Sequence, residues 1–139
     1  MKIVFLDIDG VMNPGMCHDP LKMGSALLPE HMTVLNDIVA RSGAGVVVSS
    51  AFRMCHSVDE MGQEFREAGF SGSIVGKTPI GARRCDEIQT YLDEHSGIES
   101  FVILDDMSDM GDLTGRLVCT DPSGLMPTHA ELALQVLGC

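Results

Sequence analysis

Short apolar runs of strand type, alternating with stretches of helical periodicity, constrain this chain more than any other feature. The first heads residues 2–13, Lys-Ile-Val-Phe-Leu-Asp-Ile-Asp-Gly-Val-Met-Asn, and the others span 45–50, 73–75, 100–104 and 117–120. The second, Gly-Val-Val-Val-Ser-Ser, is apolar without alternation, as expected of a strand covered by helices on both faces. Between the runs lie helical patterns. Pro29 and Glu30 open one, with proline in the first turn and an acid at the positive end of the helix dipole. Met32, Leu35, Ile38 and Val39 share its apolar face, and Ser42-Gly43 stops it. Ser57-Val-Asp-Glu60 has the form of a capping box, followed by the stripe Met61, Phe65 and Ala68 and the stop Gly69. A third helix is expected from about Cys85 to His95, and Pro127 opens a fourth carrying Ala130, Ala133, Leu134 and Leu137. Strands alternating with helices predict an α/β fold, a single Rossmann-like, doubly wound parallel sheet spanning residues 1–139 as one domain. Sheets of this kind bind ligands beyond the carboxyl ends of their strands.

The polar residues gather at those ends. Asp7 and Asp9 close the first strand, and Gly10 lets the chain turn. Ser49 and Ser50 close the second, with Arg53 just after them. Asp105 and Asp106 close the fourth, with Asp109 beyond. Lys77, Arg83 and Arg84 occupy the loop before the third helix. Carboxylates crowded onto one crevice repel each other unless a cation joins them. An oxygen-only set points to a hard ion such as Mg²⁺, which keeps several waters and bridges to phosphate. Phosphoryl transfer needs a nucleophile, an acid/base, and groups that stabilise charge on the moving phosphate. In that scheme Asp7 attacks and Asp9 serves as general acid/base. Ser49 and backbone amides near Ser50 hold phosphate oxygens, and Arg84 or Lys77 pairs with the phosphate and the nucleophile. Asp105, with Asp106 or Asp109, joins Asp7 and Asp9 at the metal. Arg53 is a candidate for a second phosphate or a nucleic-acid backbone.

Composition bounds the alternatives. A 45% hydrophobic content over 139 residues is enough for a packed core. No run of about 18 apolar residues is present, so no membrane span is expected, and Met1-Lys2 leads straight into a strand rather than a signal peptide. The five cysteines are odd in number and form no Cys-x-x-Cys, which favours reduced thiols and a cytoplasmic setting. Met-Cys-His recurs at 16–18 and 54–56, but adjacent residues chelate one ion poorly. A net charge of −11 argues against strong non-specific nucleic-acid binding, though not against a nucleotide or a nucleic-acid end as substrate. A calcium loop opening at Asp7 fails because its twelfth position is His18, where a glutamate is required.

Asp7-Ile-Asp9-Gly10-Val11 after an apolar strand resembles the first motif of the haloacid-dehalogenase-like (HAD) phosphohydrolases. Val46-Val-Val-Ser49 resembles their second, and Leu104-Asp-Asp106 with Asp109 their acidic fourth. Ser49-Ser-Ala-Phe-Arg53, Arg84-x-x-Glu87-Ile88 and Thr120-Asp-Pro-Ser-Gly-Leu125 are similar to the small HAD domains grouped with "Swiss Army knife" RNA repair proteins. The resemblance covers essentially the whole chain. It implies a nucleophile at Asp7, an acid/base at Asp9 whose backbone carbonyl also binds Mg²⁺, phosphate binding at Ser49 and metal binding at Asp105 or its neighbour. The family's third motif is usually a lysine; Arg83-Arg84 stands there instead, and Arg84 is the favoured substitute over Arg83 and Lys77. An acid at Asp9 favours phosphatase over dehalogenase, because an alkoxide leaving group needs a proton.

Two other readings compete. A receiver-like switch would carry its phospho-accepting aspartate at the end of the third strand, where Val75-Gly76-Lys77 stands. A non-catalytic phosphate-binding module would have no use for the acid Asp9. Among the histidines, His18, His56 and His129 read as surface or cap residues. Met12, Met16 and Met23 read as packing in the loop after Asp9. About 20 residues separate Asp9 from the first helix, too few for a cap domain. An essentially capless site suits a large phosphorylated substrate; an oligomer whose second subunit covers the site is the other way to enclose a small one.

Overall fold

The computed structural model describes residues 1–15, 23–121 and 123–139, together with the backbone but not the side chain of Met23. The residues Met16, Cys17 and His18, the Met23 side chain and Pro122 therefore lie outside the described part. In chain order the elements are β1 (Lys2–Leu6), α1 (Pro29–Ser42), β2 (Gly45–Val48), α2 (Val58–Glu67), β3 (Ile74–Lys77), α3 (Arg84–Glu94), β4 (Ser100–Asp105), β5 (Leu117–Cys119) and α4 (Pro127–Leu137). Short 3₁₀ turns lie at Met23–Ala26, Ala51–Met54 and Gly111–Arg116.

The five strands form one parallel sheet in the order β3-β2-β1-β4-β5. Side-chain alternation splits the core in two. Val4, Leu6, Val46, Val48, Val102 and Leu104 face α1, α2 and α4, meeting Leu35, Ile38, Met61, Phe65, Ala133 and Leu137. Ile3, Phe5, Val47 and Ile103 face α3, meeting Ile88 and Tyr91. Both faces are thus covered, which is why the strands are apolar throughout. Each large side chain removed from water contributes about 1.5–3 kcal/mol. Among the described residues no helix is long and apolar enough to cross a membrane.

Local signals behave as chemistry requires. The capping box closes in both directions: Glu60 N–H donates to Ser57 Oγ at 3.1 Å, and Ser57 N–H to Glu60 Oε1 at 3.0 Å. Two differences from the sequence reading have clear causes. The third strand is Ile74–Lys77, not 73–75, because Gly76 is a strand residue in disguise. A Cβ built there would collide with the Tyr91 ring, so the tyrosine fills the place of the missing side chain. His56, expected as a surface or cap residue, is buried, and its Nδ1 donates to Phe52 O at 2.9 Å, a carbonyl of the 3₁₀ turn Ala51–Met54.

Strand order decides where a ligand can sit. The chain winds from β1 through β2 to β3 on one side, then returns to place β4 and β5 on the other. The chain leaves β1 toward the face of α1, and leaves β4 through Met110 and the 3₁₀ turn Gly111–Arg116 toward the face of α3, so a crevice opens between their carboxyl ends.

Candidate active site

The crevice is built on backbone that prolongs the sheet. Asp7 N–H donates to Leu104 O at 3.0 Å, Ser49 N–H to Leu6 O at 2.9 Å and Thr120 N–H to Asp105 O at 3.0 Å. Each functional residue is thereby locked one step past a strand rather than left on a loose loop. Beyond Asp7 the chain must reverse at once. Gly10 takes φ +84°, a left-handed conformation that side chains rarely adopt, and a Cβ there would also collide with the Asp106 carboxylate. The turn is fastened from three sides. Asn13 Nδ2 donates to Asp9 Oδ1 at 3.3 Å and to Ala26 O at 3.0 Å. Thr120 Oγ1 donates to Gly10 O at 2.8 Å, and Leu125 N–H to Val11 O at 2.7 Å.

Carboxylate oxygens of Asp7, Asp105 and Asp106 lie within 4.8 Å of one another. Asp7 and Asp105 are buried, whereas Asp106 is exposed. Arg84, the first residue of α3, reaches into this cluster. Its Nη1 lies 2.6 Å from Asp105 Oδ2 and 3.4 Å from Asp7 Oδ1. Burial pushes the Asp7 carboxyl up from 3.8 to about 7; the Asp105 charge adds to the rise, and Arg84 and the Ile8 N–H pull against it. Burial raises Asp105 as well, against the opposing pull of Arg84 and the Met107 N–H. Acids held this close, with Arg84 the one arginine among them in the described residues, are under-compensated. Three oxygen donors of that kind fit a hard divalent cation such as Mg²⁺. Ser49 Oγ, at the end of the neighbouring strand, is buried without a hydrogen-bond partner among the described residues.

The remaining candidates are placed as follows. Asp9 lies on the rim, exposed, with Asn13 on its carboxylate. Asp109 is also exposed, and its Oδ1 accepts the Gly111 N–H at 3.3 Å, outside the three-acid group. Ser50 Oγ accepts the Phe52 N–H at 3.3 Å, capping the turn Ala51–Met54. Lys77 Nζ donates to Arg53 O and His56 O, both at 3.2 Å. Arg83 is exposed and pairs with Asp86. Arg53 needs a correction. It is 3% exposed, and its donors go to Thr78 O, Ser49 O, Ser50 O, Pro79 O and Glu87 Oε2. A guanidinium has five N–H donors, so nothing is left for a substrate phosphate. Of the Met-Cys-His pair, residues 16–18 lie outside the described part. No Cys/His metal cluster occurs among the described residues.

Three participants have no role assigned from the sequence, although Glu87 and Thr120 fall in segments that carry the family resemblance. Asn13 and Thr120 are polar residues in turns, a common occurrence. Glu87 reads as an ordinary first-turn acid, yet it is buried against both Arg53 and Arg84. Two clues to Glu87 are available: it falls in the Arg84-x-x-Glu87-Ile88 segment that carries the family resemblance, and at three residues past Arg84 it lies on the same helix face.

In a comparison with known protein families, residues 3–130 match the model described as HAD domain in Swiss Army Knife RNA repair proteins. No curated protein and no solved structure matches.

Proposed function

As the chain belongs to the family of HAD domains in Swiss Army Knife RNA repair proteins, we propose that it is a Mg²⁺-dependent phosphatase that hydrolyses phosphomonoesters through an aspartyl-phosphate on Asp7. The observation that carries this reading is the placement of Arg84 between Asp7 and Asp105, with Asp106 beside them, at the switch point of the sheet. Asp7, Asp105 and Asp106 would hold the ion, together with the backbone carbonyl of Asp9. When bound, the ion supplies neutralising charge to the transferring phosphoryl oxygens.

Asp7 is held for attack by its backbone bond to Leu104 and by Arg84 on one carboxylate oxygen. A carboxylate oxygen of Asp7 forms the new P–O bond while the ester P–O bond breaks. Asp9 gives its proton to the departing alkoxide. Water then attacks phosphorus, Asp9 takes the water's proton, and the acyl-phosphate bond breaks to return the Asp7 carboxylate and inorganic phosphate. Ser49 Oγ and Arg84 hold phosphate oxygens. A cavity of about 90 Å³ bounded by Asp9, Ala51, Phe52 and Cys55 leaves room for the leaving group beside the acid.

The short connection between Asp9 and α1 favours a substrate too large to be enclosed, and an end phosphate of nucleic acid is the substrate we infer, a reading that the family's link to RNA repair supports. The test is phosphate release from an aryl phosphate, mononucleotides, and 3′- and 5′-phosphorylated oligonucleotides. Release should require Mg²⁺, stop with a chelator and fall to background in Asp7→Asn. Absence of release from every member of that panel sinks the enzyme reading.

A further inference from the structure

We propose that Arg53 and Glu87 are positioning residues that shape the phosphate cradle from behind, Arg53 by fixing Ser49 and Glu87 by aiming Arg84. The claim rests on the phosphatase reading for what the cradle holds, and on the geometry for how it is held.

Arg53 joins three separate segments. Its Nη1 donates to Ser49 O at 3.1 Å and Ser50 O at 2.8 Å, past the end of β2. Its Nε donates to Thr78 O at 2.9 Å, past the end of β3. Its Nη2 pairs with Glu87 in the first turn of α3. Lys77 grips the same turn from outside through the Arg53 and His56 carbonyls. Glu87 then divides its two oxygens. Oε2 accepts Arg53 and the Gly81 N–H, the latter at 3.0 Å. Oε1 faces Arg84 Nε at 3.7 Å. With Nη1 hydrogen-bonded to Asp105 and Nε facing Glu87 at ion-pair distance, the two acids together favour one rotation of the Arg84 plane. Its Nη2 keeps no hydrogen bond to the described residues. Arg84 Nη2 and Ser49 Oγ, the latter buried without a partner among the described residues, are the groups a phosphate would take up, and one buried ion pair governs both.

Stability alone does not account for that pair. A buried ion pair is often no more stabilising than apolar side chains of the same volume, because desolvation offsets the attraction. What an apolar pair cannot do is bond five acceptors on three segments and present a carboxylate to Arg84.

The test compares wild type, Glu87→Gln, Arg84→Ala and the Glu87→Gln/Arg84→Ala double variant. Two readouts are used: affinity for inorganic phosphate with Mg²⁺ by calorimetry, and the kcat and KM of turnover. Glu87→Gln keeps the shape and the bond to Gly81. It should weaken phosphate binding about tenfold, and lower kcat by a similar factor with less change in KM. With Arg84 already gone, Glu87→Gln should do nothing more, since its effect passes through Arg84. Wild-type values in Glu87→Gln, or losses that multiply in the double variant, overturn the proposal. If Glu87→Gln does not fold, Arg53→Met/Glu87→Met replaces the pair with apolar bulk. That variant, folded and fully active, would show the pair to be structural only; folded but impaired, it supports positioning. Wild-type protein that binds phosphate but releases none from any ester defeats the phosphatase reading and leaves this proposal standing. Protein that binds no phosphate overturns this proposal, while the phosphatase reading stands or falls on turnover.

Discussion

Asp7 holds a conflict that pH can expose. Its folded carboxyl keeps a proton up to about 7, while the unfolded chain gives it up near 3.8. Between those values unfolding releases a proton, so rising pH favours the unfolded state. The stability is fully present below the lower value and is lost as pH climbs through the upper one. Each unit of the shift corresponds to about 1.4 kcal/mol. The metal-free protein should therefore melt at falling temperature from pH 4 to 7.5, and Asp7→Asn should flatten that slope. At pH 7.5 without metal the variant should melt higher, by roughly 10–15 °C. Mg²⁺ should remove most of the wild-type slope, since a cation among the acids favours their ionised forms. Parallel melting curves for wild type and variant across this range would mean that Asp7 is not under-compensated.

At the scale of elements, the reversal after β1 is the most demanding piece of backbone. Gly10 must adopt φ +84° and also leave room for Asp106. Gly10→Ala meets both obstacles. Strain of this type costs about 1–3 kcal/mol, and the displaced Asp106 should weaken Mg²⁺ binding as well. Chemical denaturation and a Mg²⁺ titration of the variant check the two effects separately; unchanged values in both would refute the account. The elements themselves were largely readable beforehand. Ser57 and Glu60 announced their capping box, and Val46–Val48 announced a strand covered on both sides, because these signals depend on nearest neighbours. The end of β3 was hidden, since the ring that replaces a side chain at Gly76 comes from Tyr91 on a distant helix.

Across the whole molecule, the family and the parallel sheet were legible because strand-end acids follow apolar runs in a fixed order, and the match over residues 3–130 is to the family those motifs suggested. The grouping of Asp7, Asp105 and Asp106 follows from the β1–β4 pairing, which puts distant segments side by side. The partner of each cation was not legible. Arg53 and Arg84 both follow strand ends and look alike in sequence. Only the packing of α3 turns one inward onto carbonyls and the other toward acids. Arg53 also bears on how the fold comes apart. With one guanidinium tied to the ends of β2 and β3 and to the start of α3, none of these segments can open by itself. Their amide hydrogens, at Ser49, Arg53, Thr78, Gly81 and Glu87, should exchange with solvent deuterium as one cooperative group at a shared free energy. Arg53→Met should split that group into independently exchanging parts; separate exchange already in the wild type would show that the segments are not coupled.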